Sequence, residues 1–163
     1  MIDAYSWRTS NGRKLHIILE ELGLDYRIHP IDIHKGDQFG PGFLKVSPNN
    51  KIPAIVDQNG PNGKPYTVFE SGAILMYLAE KTGRLMPQEV DQRYAVIQWL
   101  MFQMAGVGPM LGQANHFRGQ ASDNEYGVRR YTNEAGRLYG VMDKRLMDHE
   151  YLADEYSIAD IAC

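Results

Sequence analysis

The sequence predicts an α/β domain in the order βαβ-ββα, followed by an all-α region that the chain leaves incomplete. Two short apolar runs flank a helical pattern near the start, a Gly- and Pro-rich turn joins two more short runs, and no strand pattern returns after residue 90. We expect the α/β domain over residues 1–82, a linker over 83–90 and the truncated helical domain over 91–163.

The first half of the α/β domain has the pattern of a βαβ unit. Residues 2–7 form a short apolar and aromatic run that ends in a polar turn. Apolar residues then recur at helical spacing, with Asn11 as the expected N-cap and Gly23 just past the helix end. Residues 26–33 carry the second strand, which should lie parallel to the first because a helix separates them.

The second half of the domain has the pattern of a hairpin followed by a helix. A short helix is predicted near residues 43–44, and residues 52–56 form the next apolar run. The Gly- and Pro-rich turn at 58–65 leads into a last strand at Tyr66–Phe69. Ser71 is the expected cap of the third helix, and Gly83 follows its end. Its predicted inner face comprises Ile74, Leu75 and Leu78.

The remainder of the chain is predicted to be helical. Glycines at 106 and 108 and Pro109 should bend or end the first long helix, and residues 118–125 should connect it to the second. Ser157 and Asp160 have the spacing of a capping box. Two apolar stripes mark the long helices, the first being Tyr94, Ile97, Leu100, Met101 and Met104, and the second Val128, Tyr131, Ala135, Leu138 and Met142.

Composition excludes several classes of function. The 17 Lys and Arg residues are scattered among 20 Asp and Glu residues, giving a net charge of -3, so nucleic acid is not an expected partner. The start lacks a secretory pattern, and no apolar stretch approaches membrane-spanning length, which favours a cytoplasmic protein without membrane association. Cys163 is the single cysteine, so no internal disulfide, CxxC pair or thiolate zinc site exists. Thiol-based redox chemistry would need a thiol supplied by another molecule.

Four local motifs carry a family resemblance. They are Thr-Ser-Asn-Gly at residues 9–12, Ser-Pro-Asn-Asn-Lys-Ile-Pro-Ala-Ile at 47–55, Phe-Glu-Ser-Gly-Ala-Ile at 69–74 and Tyr-Ser-Ile-Ala-Asp-Ile at 156–161. In order and separation they resemble the cytosolic glutathione transferases, and residues 49–54 and 108–113 favour the bacterial Nu class. The resemblance covers the whole chain. It implies a thioredoxin-like first domain, glutathione as cosubstrate, no metal, and a homodimer.

Pro53 matches the cis-proline of the thioredoxin fold. The resemblance implies that the backbone of Ile52 pairs, as a strand would, with the cysteinyl residue of glutathione. Taken alone, Pro53 is more typical of an edge strand or a turn.

Glu70 and Ser71 lie where a strand meets a helix N-terminus. Backbone N–H groups and the helix dipole make such a place suitable for a carboxylate, although a simple Ser cap is the commoner meaning. The resemblance assigns it the α-carboxylate of the γ-glutamyl group, with the Glu70 carboxylate binding the α-ammonium.

Three further residues are assigned to glutathione by the resemblance. Gln38 and Lys51 match positions near the glycyl carboxylate, where they would supply an amide and a point charge. Arg130 matches a Nu-class arginine of the second domain, and its neighbour Arg129 is expected to face solvent. Gln38 or Lys51 alone would more often be a solvated surface residue.

The reactive sulfur is expected at the first turn. Thr9 and Asn11 match the Nu-class hydroxyl and amide, but this chain has Ser10 where the class commonly has proline, so Ser10 is an alternative contact for the sulfur. Tyr5 is a rival catalytic residue, yet it lies inside the first strand and is expected in the core.

Three functions follow, in order of preference. The first is glutathione-dependent disulfide-bond reduction by thiol–disulfide exchange. The second is conjugation of glutathione to an electrophile in a pocket near Trp7, Met104, His116 or Phe117, residues that are more typical of core or surface. The third is a non-catalytic binding or dimerisation module. The substrate would accordingly be a small disulfide or an electrophile.

Overall fold

The computed structural model describes residues 1–163, and its contacts divide the chain into two units, Met1–Met86 and Pro87–Cys163. The first contains a four-stranded sheet with helices, and the second contains helices alone. This is the predicted α/β and all-α architecture. The predicted domain boundaries at residues 82 and 91 stay predictions.

The sheet of the first unit has the strand order β2-β1-β3-β4. Its strands are β1 (Ile2–Ser6), β2 (Tyr26–Pro30), β3 (Ala54–Asp57) and β4 (Tyr66–Phe69). β1 pairs with β2 in parallel and with β3 antiparallel, and β3 pairs antiparallel with β4. The parallel β1–β2 pair and the β3–β4 hairpin are therefore confirmed.

Two strands differ from prediction at their ends. β3 begins at Ala54 rather than at residue 52, because Pro53 has no N–H to donate to a ladder. β2 ends at Pro30, and the chain beyond it keeps one backbone bond to β1, from Ile31 N to Ser6 O at 3.0 Å.

Three helices complete the first unit: α1 (Ser10–Leu22), the short α2 (Pro41–Leu44) and α3 (Ser71–Thr82). α1 and α3 pack together, and the predicted inner face of α3 is fully buried. Gly23 and Gly83 end α1 and α3 with φ of 64° and 66°, the left-handed conformation that favours glycine.

Both predicted N-caps of this unit were wrong by one or two residues. Thr9, not Asn11, caps α1, because its Oγ1 accepts a hydrogen bond from the Gly12 N–H at 3.1 Å. Glu70, not Ser71, occupies the cap position of α3, and Ser71 is the first helical residue. Cap identity depends on backbone dihedrals that the residue types only bias.

The second unit contains α4 (Val90–Phe102), α5 (Gly108–Gly119), α6 (Glu125–Leu146) and α7 (Ile158–Ala162). A π-helical turn, Gln103–Val107, joins α4 to α5, at the glycines predicted to bend the helix. The Ser157–Asp160 capping box is confirmed: the Ser157 N–H donates to Asp160 Oδ2 at 2.9 Å, and Ser157 Oγ accepts from the N–H of Ala159.

The predicted stripe of the first long helix was wrong. Tyr94 and Met101 are exposed, and of the predicted set only Leu100 is buried. The buried positions are Val96, Leu100, Gln103 and Val107, which keep ordinary helical spacing. The inner face thus lies about one residue before the predicted positions 97, 101 and 104. On α6 the predicted stripe is buried or half-buried throughout.

The continuous helical run Val90–Gly119 also exceeds the length expected from the sequence. Its 30 residues include an 18-residue window of mean hydropathy 1.2, which is long and apolar enough to cross a membrane by length and composition. A single run of this kind is weak evidence for a membrane-spanning helix, since core helices of soluble proteins pass the same test.

Candidate glutathione site

A pocket of about 220 Å³ opens in the first unit between the α1 N-terminus, the loop before β3 and the start of α3. Three separate motifs of the sequence converge there. The lining residues are Asn11, Ser47, Asn49, Lys51, Ile52, Pro53, Phe69, Glu70 and Ser71.

The loop before β3 is held by its first residue. Ser47 is buried, and its Oγ donates a hydrogen bond to the Lys51 carbonyl at 2.8 Å. The Asn50 N–H returns to the Ser47 carbonyl at 3.0 Å. This closed turn presents Lys51 and Ile52 to the pocket. The Ile52–Pro53 peptide bond is cis, as the family resemblance implied.

The start of α3 supplies the opposite wall. Glu70 has φ of 72° and ψ of 120°, an uncommon conformation for a residue other than glycine, and its carboxylate makes no capping hydrogen bond. Its only hydrogen-bonding partner is the Asn49 amide, with Nδ2 3.5 Å from Oε1. Ser71 is buried beside it, where the positive end of the helix dipole favours an anion.

The pocket is lined by one cationic and one anionic residue that do not pair with each other. Lys51 and Glu70 both line it, yet no ion pair or hydrogen bond joins the two side chains. Opposite charges that face one cavity without neutralising each other suit a ligand that carries both an ammonium and a carboxylate.

The two residues predicted at the first turn, Thr9 and Asn11, differ in whether they line the pocket. Asn11 is exposed and lines the pocket, whereas Thr9 is half-buried and does not. The Thr9 hydroxyl accepts the Gly12 N–H bond, which leaves its own proton to donate. Ser10 is exposed as the first residue of α1.

Gln38 lies outside the residues that line the pocket, in a 3₁₀ turn at Asp37–Phe39. Its Nε2 donates to the Ile33 carbonyl at 3.3 Å, and its buried Oε1 has no hydrogen-bond partner. The unpartnered Gln38 Oε1 can accept a hydrogen bond, but an ionised carboxylate has none to donate. In this geometry Gln38 is therefore less suited to bind the glycyl carboxylate than the sequence suggested. A role for Gln38 in glutathione binding stays a prediction.

Arg130 belongs to a different cavity, a groove of about 610 Å³ on the second unit between α5 and α6. Arg129 also lines this groove, and both arginines are exposed, so the structure does not separate them as the sequence did. A third arginine, Arg137, is paired bidentately with Glu134 at 2.8 and 2.7 Å. Contact of Arg130 with glutathione stays a prediction.

Tyr5 is a packing residue rather than a catalytic one. It lies within β1, and its ring stacks on His29 with centroids 4.7 Å apart. Burial raises the pKa of the Tyr5 phenol, which opposes its ionisation. Phe117, a candidate for an electrophile pocket, stacks on Tyr131 at 5.1 Å and joins α5 to α6.

Three residues of the pocket were missed as site residues: Ser47, Asn49 and Phe69. All three belong to the motifs that carried the resemblance. Their positions beside Lys51 and Glu70 were the available signal, but sequence spacing does not say which side chains of a motif face the cavity.

Comparisons with known proteins agree with this fold. A family model described as "Glutathione S-transferase, N-terminal domain" matches residues 10–81. Disulfide-bond oxidoreductase YfcG of Escherichia coli K12 is 53% identical over 166 residues, covering 100% of this chain and 77% of that protein.

Two crystal structures are similar over 99% of the chain. A glutathione transferase family member from Pseudomonas fluorescens Pf-5, with two glutathione bound, has a TM-score of 0.96 at 53% identity and is covered over 73% of its length. A glutathione transferase from Pseudomonas putida, with one glutathione disulfide bound per subunit, has a TM-score of 0.96 at 51% identity and 71% coverage.

The thioredoxin-like first unit and these similarities place the chain in the glutathione S-transferase family. Within that family it resembles the disulfide-bond oxidoreductases of the Nu-class type.

Proposed function

We propose that the protein binds glutathione in the pocket of its first unit and uses it to reduce disulfide bonds. The observation that carries the proposal is the unpaired Lys51 and Glu70 in one cavity. Glu70 would bind the α-ammonium and the α3 N-terminus with Ser71 the α-carboxylate. Lys51 would bind the glycyl carboxylate, with Gln38 and Arg130 as further candidates, and the backbone of Ile52 would pair with the cysteinyl residue.

The reaction proceeds by two thiol–disulfide exchanges. The thiolate of one glutathione attacks a sulfur of the substrate disulfide, forming a mixed disulfide and releasing the first substrate thiolate. The thiolate of a second glutathione then attacks the glutathione sulfur of that mixed disulfide. The second substrate thiolate leaves and glutathione disulfide forms, so two glutathiones supply the two electrons.

The first turn contributes thiolate stabilisation, through Asn11 and either Thr9 or Ser10. A thiol of pKa about 8.5 is roughly 3% ionised at pH 7, and lowering the pKa by about two units raises this to roughly 75%. Lower basicity costs about eightfold in nucleophilicity, so the net gain is only about threefold. Alignment of the two sulfurs must therefore supply most of the acceleration.

A cysteine-free variant tests whether glutathione, and not the protein, supplies the reactive thiol. Because Cys163 is the single cysteine, Cys163→Ala removes every protein thiol, and we expect its glutathione-dependent turnover of a model disulfide to equal that of the wild type. Asn11→Ala, assayed in parallel, should be slower. Complete loss of turnover in Cys163→Ala would rule out the proposal, and faster turnover of an aryl halide than of the disulfide would favour conjugation.

We also propose a cytoplasmic location and a homodimer. Family membership supports both. Exposed apolar side chains along α4, among them Val90 at 70% and Tyr94 at 58% exposure, support the dimer.

A further inference from the structure

Asn49 and Glu70 face each other within the candidate glutathione pocket. They come from the loop before β3 and from the cap of α3, 21 residues apart in the chain. The Asn49 amide Nδ2 lies 3.5 Å from Glu70 Oε1, at the outer limit of a hydrogen bond. The contact joins two of the three segments that line the pocket.

The Glu70 carboxylate has no other structural task. It makes no capping hydrogen bond to α3 and pairs with no Lys or Arg side chain. The positive φ of Glu70 fixes its backbone, but the side chain beyond Cβ keeps its rotamer freedom. A carboxylate in this position needs a neighbour that restricts its rotamer before a ligand arrives.

Asn49 lies in a loop that is closed by its own hydrogen bonds. Ser47, the buried anchor of the loop, donates to the Lys51 carbonyl at 2.8 Å and accepts from the Asn50 N–H at 3.0 Å. Asn50 adopts φ of 48°, a left-handed conformation that asparagine tolerates, and this turns the chain sharply after Asn49. The backbone at Asn49 is therefore held by hydrogen bonds within the loop, and the amide of Asn49 contacts Glu70 from there.

We propose that Asn49 is a positioning residue that orients the Glu70 carboxylate toward the α-ammonium of the γ-glutamyl group. This inference rests on the proposed function. An amide suits the task because it donates a hydrogen bond to one carboxylate oxygen without adding charge. The second oxygen and the full negative charge stay available to the ammonium. A lysine or arginine at the same place would compete with the ligand for Glu70.

The test compares two ligands by isothermal titration calorimetry. One is glutathione, and the other is glutaryl-cysteinylglycine, which lacks only the α-amino group. We expect Asn49→Ala to weaken glutathione binding by about three- to tenfold, the effect of losing one hydrogen bond, and to leave the binding of the analogue unchanged. Asn49→Ser, whose hydroxyl is too short to reach Glu70, should behave in the same way.

Asn50→Gly is the matched control. It removes the neighbouring amide side chain while keeping a residue that tolerates positive φ, so neither ligand should be affected. Equal binding of glutathione by Asn49→Ala and wild type would overturn the inference, as would equal weakening of both ligands. If the wild type bound no glutathione, the proposed function itself would fail. If the wild type bound glutathione and Asn49→Ala bound it equally well, only the role of Asn49 would fail, so the two failures are distinguishable.

Discussion

Thr9 performs a structural task in the same turn where the sulfur of glutathione is expected. Its Oγ1 accepts the Gly12 N–H at 3.1 Å and so caps α1, while its proton is left to donate to a thiolate. Ser10, one residue on, is exposed and has a hydroxyl with the same chemistry. Substitutions can separate the cap from the sulfur contact, because only Thr9 accepts the capping bond.

We expect Thr9→Val to lower the free energy of unfolding by about 1 kcal/mol through loss of the cap, and to slow disulfide reduction by about threefold, the full net gain from thiolate stabilisation. Thr9→Ser should keep both properties. Urea unfolding and steady-state turnover measure the two effects. If Ser10→Ala loses turnover while Thr9→Val keeps it, then Ser10 and not Thr9 contacts the sulfur.

At the scale of the element, the close approach of α1 to the end of β1 requires glycine at position 12. A Cβ placed there would lie 2.1 Å from the Trp7 carbonyl oxygen and 2.7 Å from Ser6 Oγ. No side-chain rotation relieves a contact with backbone. The turn that carries Asn11 into the pocket therefore depends on a residue without a side chain.

Gly12→Ala should lower the free energy of unfolding by at least about 2 kcal/mol, because the backbone of the turn must shift. Gly136→Ala is the matched control. Gly136 lies in α6 with nothing within 4 Å of an added Cβ, so alanine there should stabilise the helix by about 0.5–1 kcal/mol. Chemical denaturation of both variants measures the difference. Equal stability of Gly12→Ala and wild type would contradict the packing described for this turn.

The order of elements follows from local patterns, and their boundaries follow less well. Gly23 and Gly83 were predicted correctly as helix ends, because those positions adopt the left-handed conformation and glycine is the residue that adopts it most readily. The caps at Thr9 and Glu70 were not, since several polar residues in each turn could serve. The inner face of α4 was also mistaken by about one residue, because packing selects which of two neighbouring apolar faces is buried.

At the scale of the whole molecule, a buried carboxylate ties the hairpin of the first unit to α3. Asp57 is 1% exposed at the end of β3 and contacts Lys81 Nζ at 2.8 Å and the Tyr77 hydroxyl at 2.6 Å. Burial opposes its ionisation, but the hydrogen bonds from Lys81 and Tyr77 outweigh burial and lower the pKa of Asp57. The ionised form is therefore the one that the fold stabilises.

This pKa shift predicts loss of stability in acid. The pKa of Asp57 is lower in the folded than in the unfolded chain, so its contribution is complete above the unfolded value of about 3.9 and is lost as pH falls through the folded value. Asp57→Asn should lower the free energy of unfolding near pH 7 by about 3 kcal/mol and flatten its decline in acid. Asp25→Asn, at an exposed position, should change neither.

Unfolding by urea between pH 7 and pH 3 provides the measurement. Some acid sensitivity should persist in Asp57→Asn, because hydrogen bonding to His29 also lowers the pKa of Asp3. A steep decline unchanged by the substitution would show that Asp57 is not the main acid-sensitive group.

The sequence by itself determined the order of the elements, the parallel β1–β2 pair, the Ser157–Asp160 cap and the three motifs that meet at the pocket. These features depend on residues close together in the chain, whose spacing and backbone preferences are legible directly. Only the tertiary structure decided that Asn49 faces Glu70, that Lys51 and Glu70 stay unpaired, and that Thr9 caps its helix outside the pocket lining. Those outcomes depend on side-chain directions and on contacts between distant segments, which packing sets.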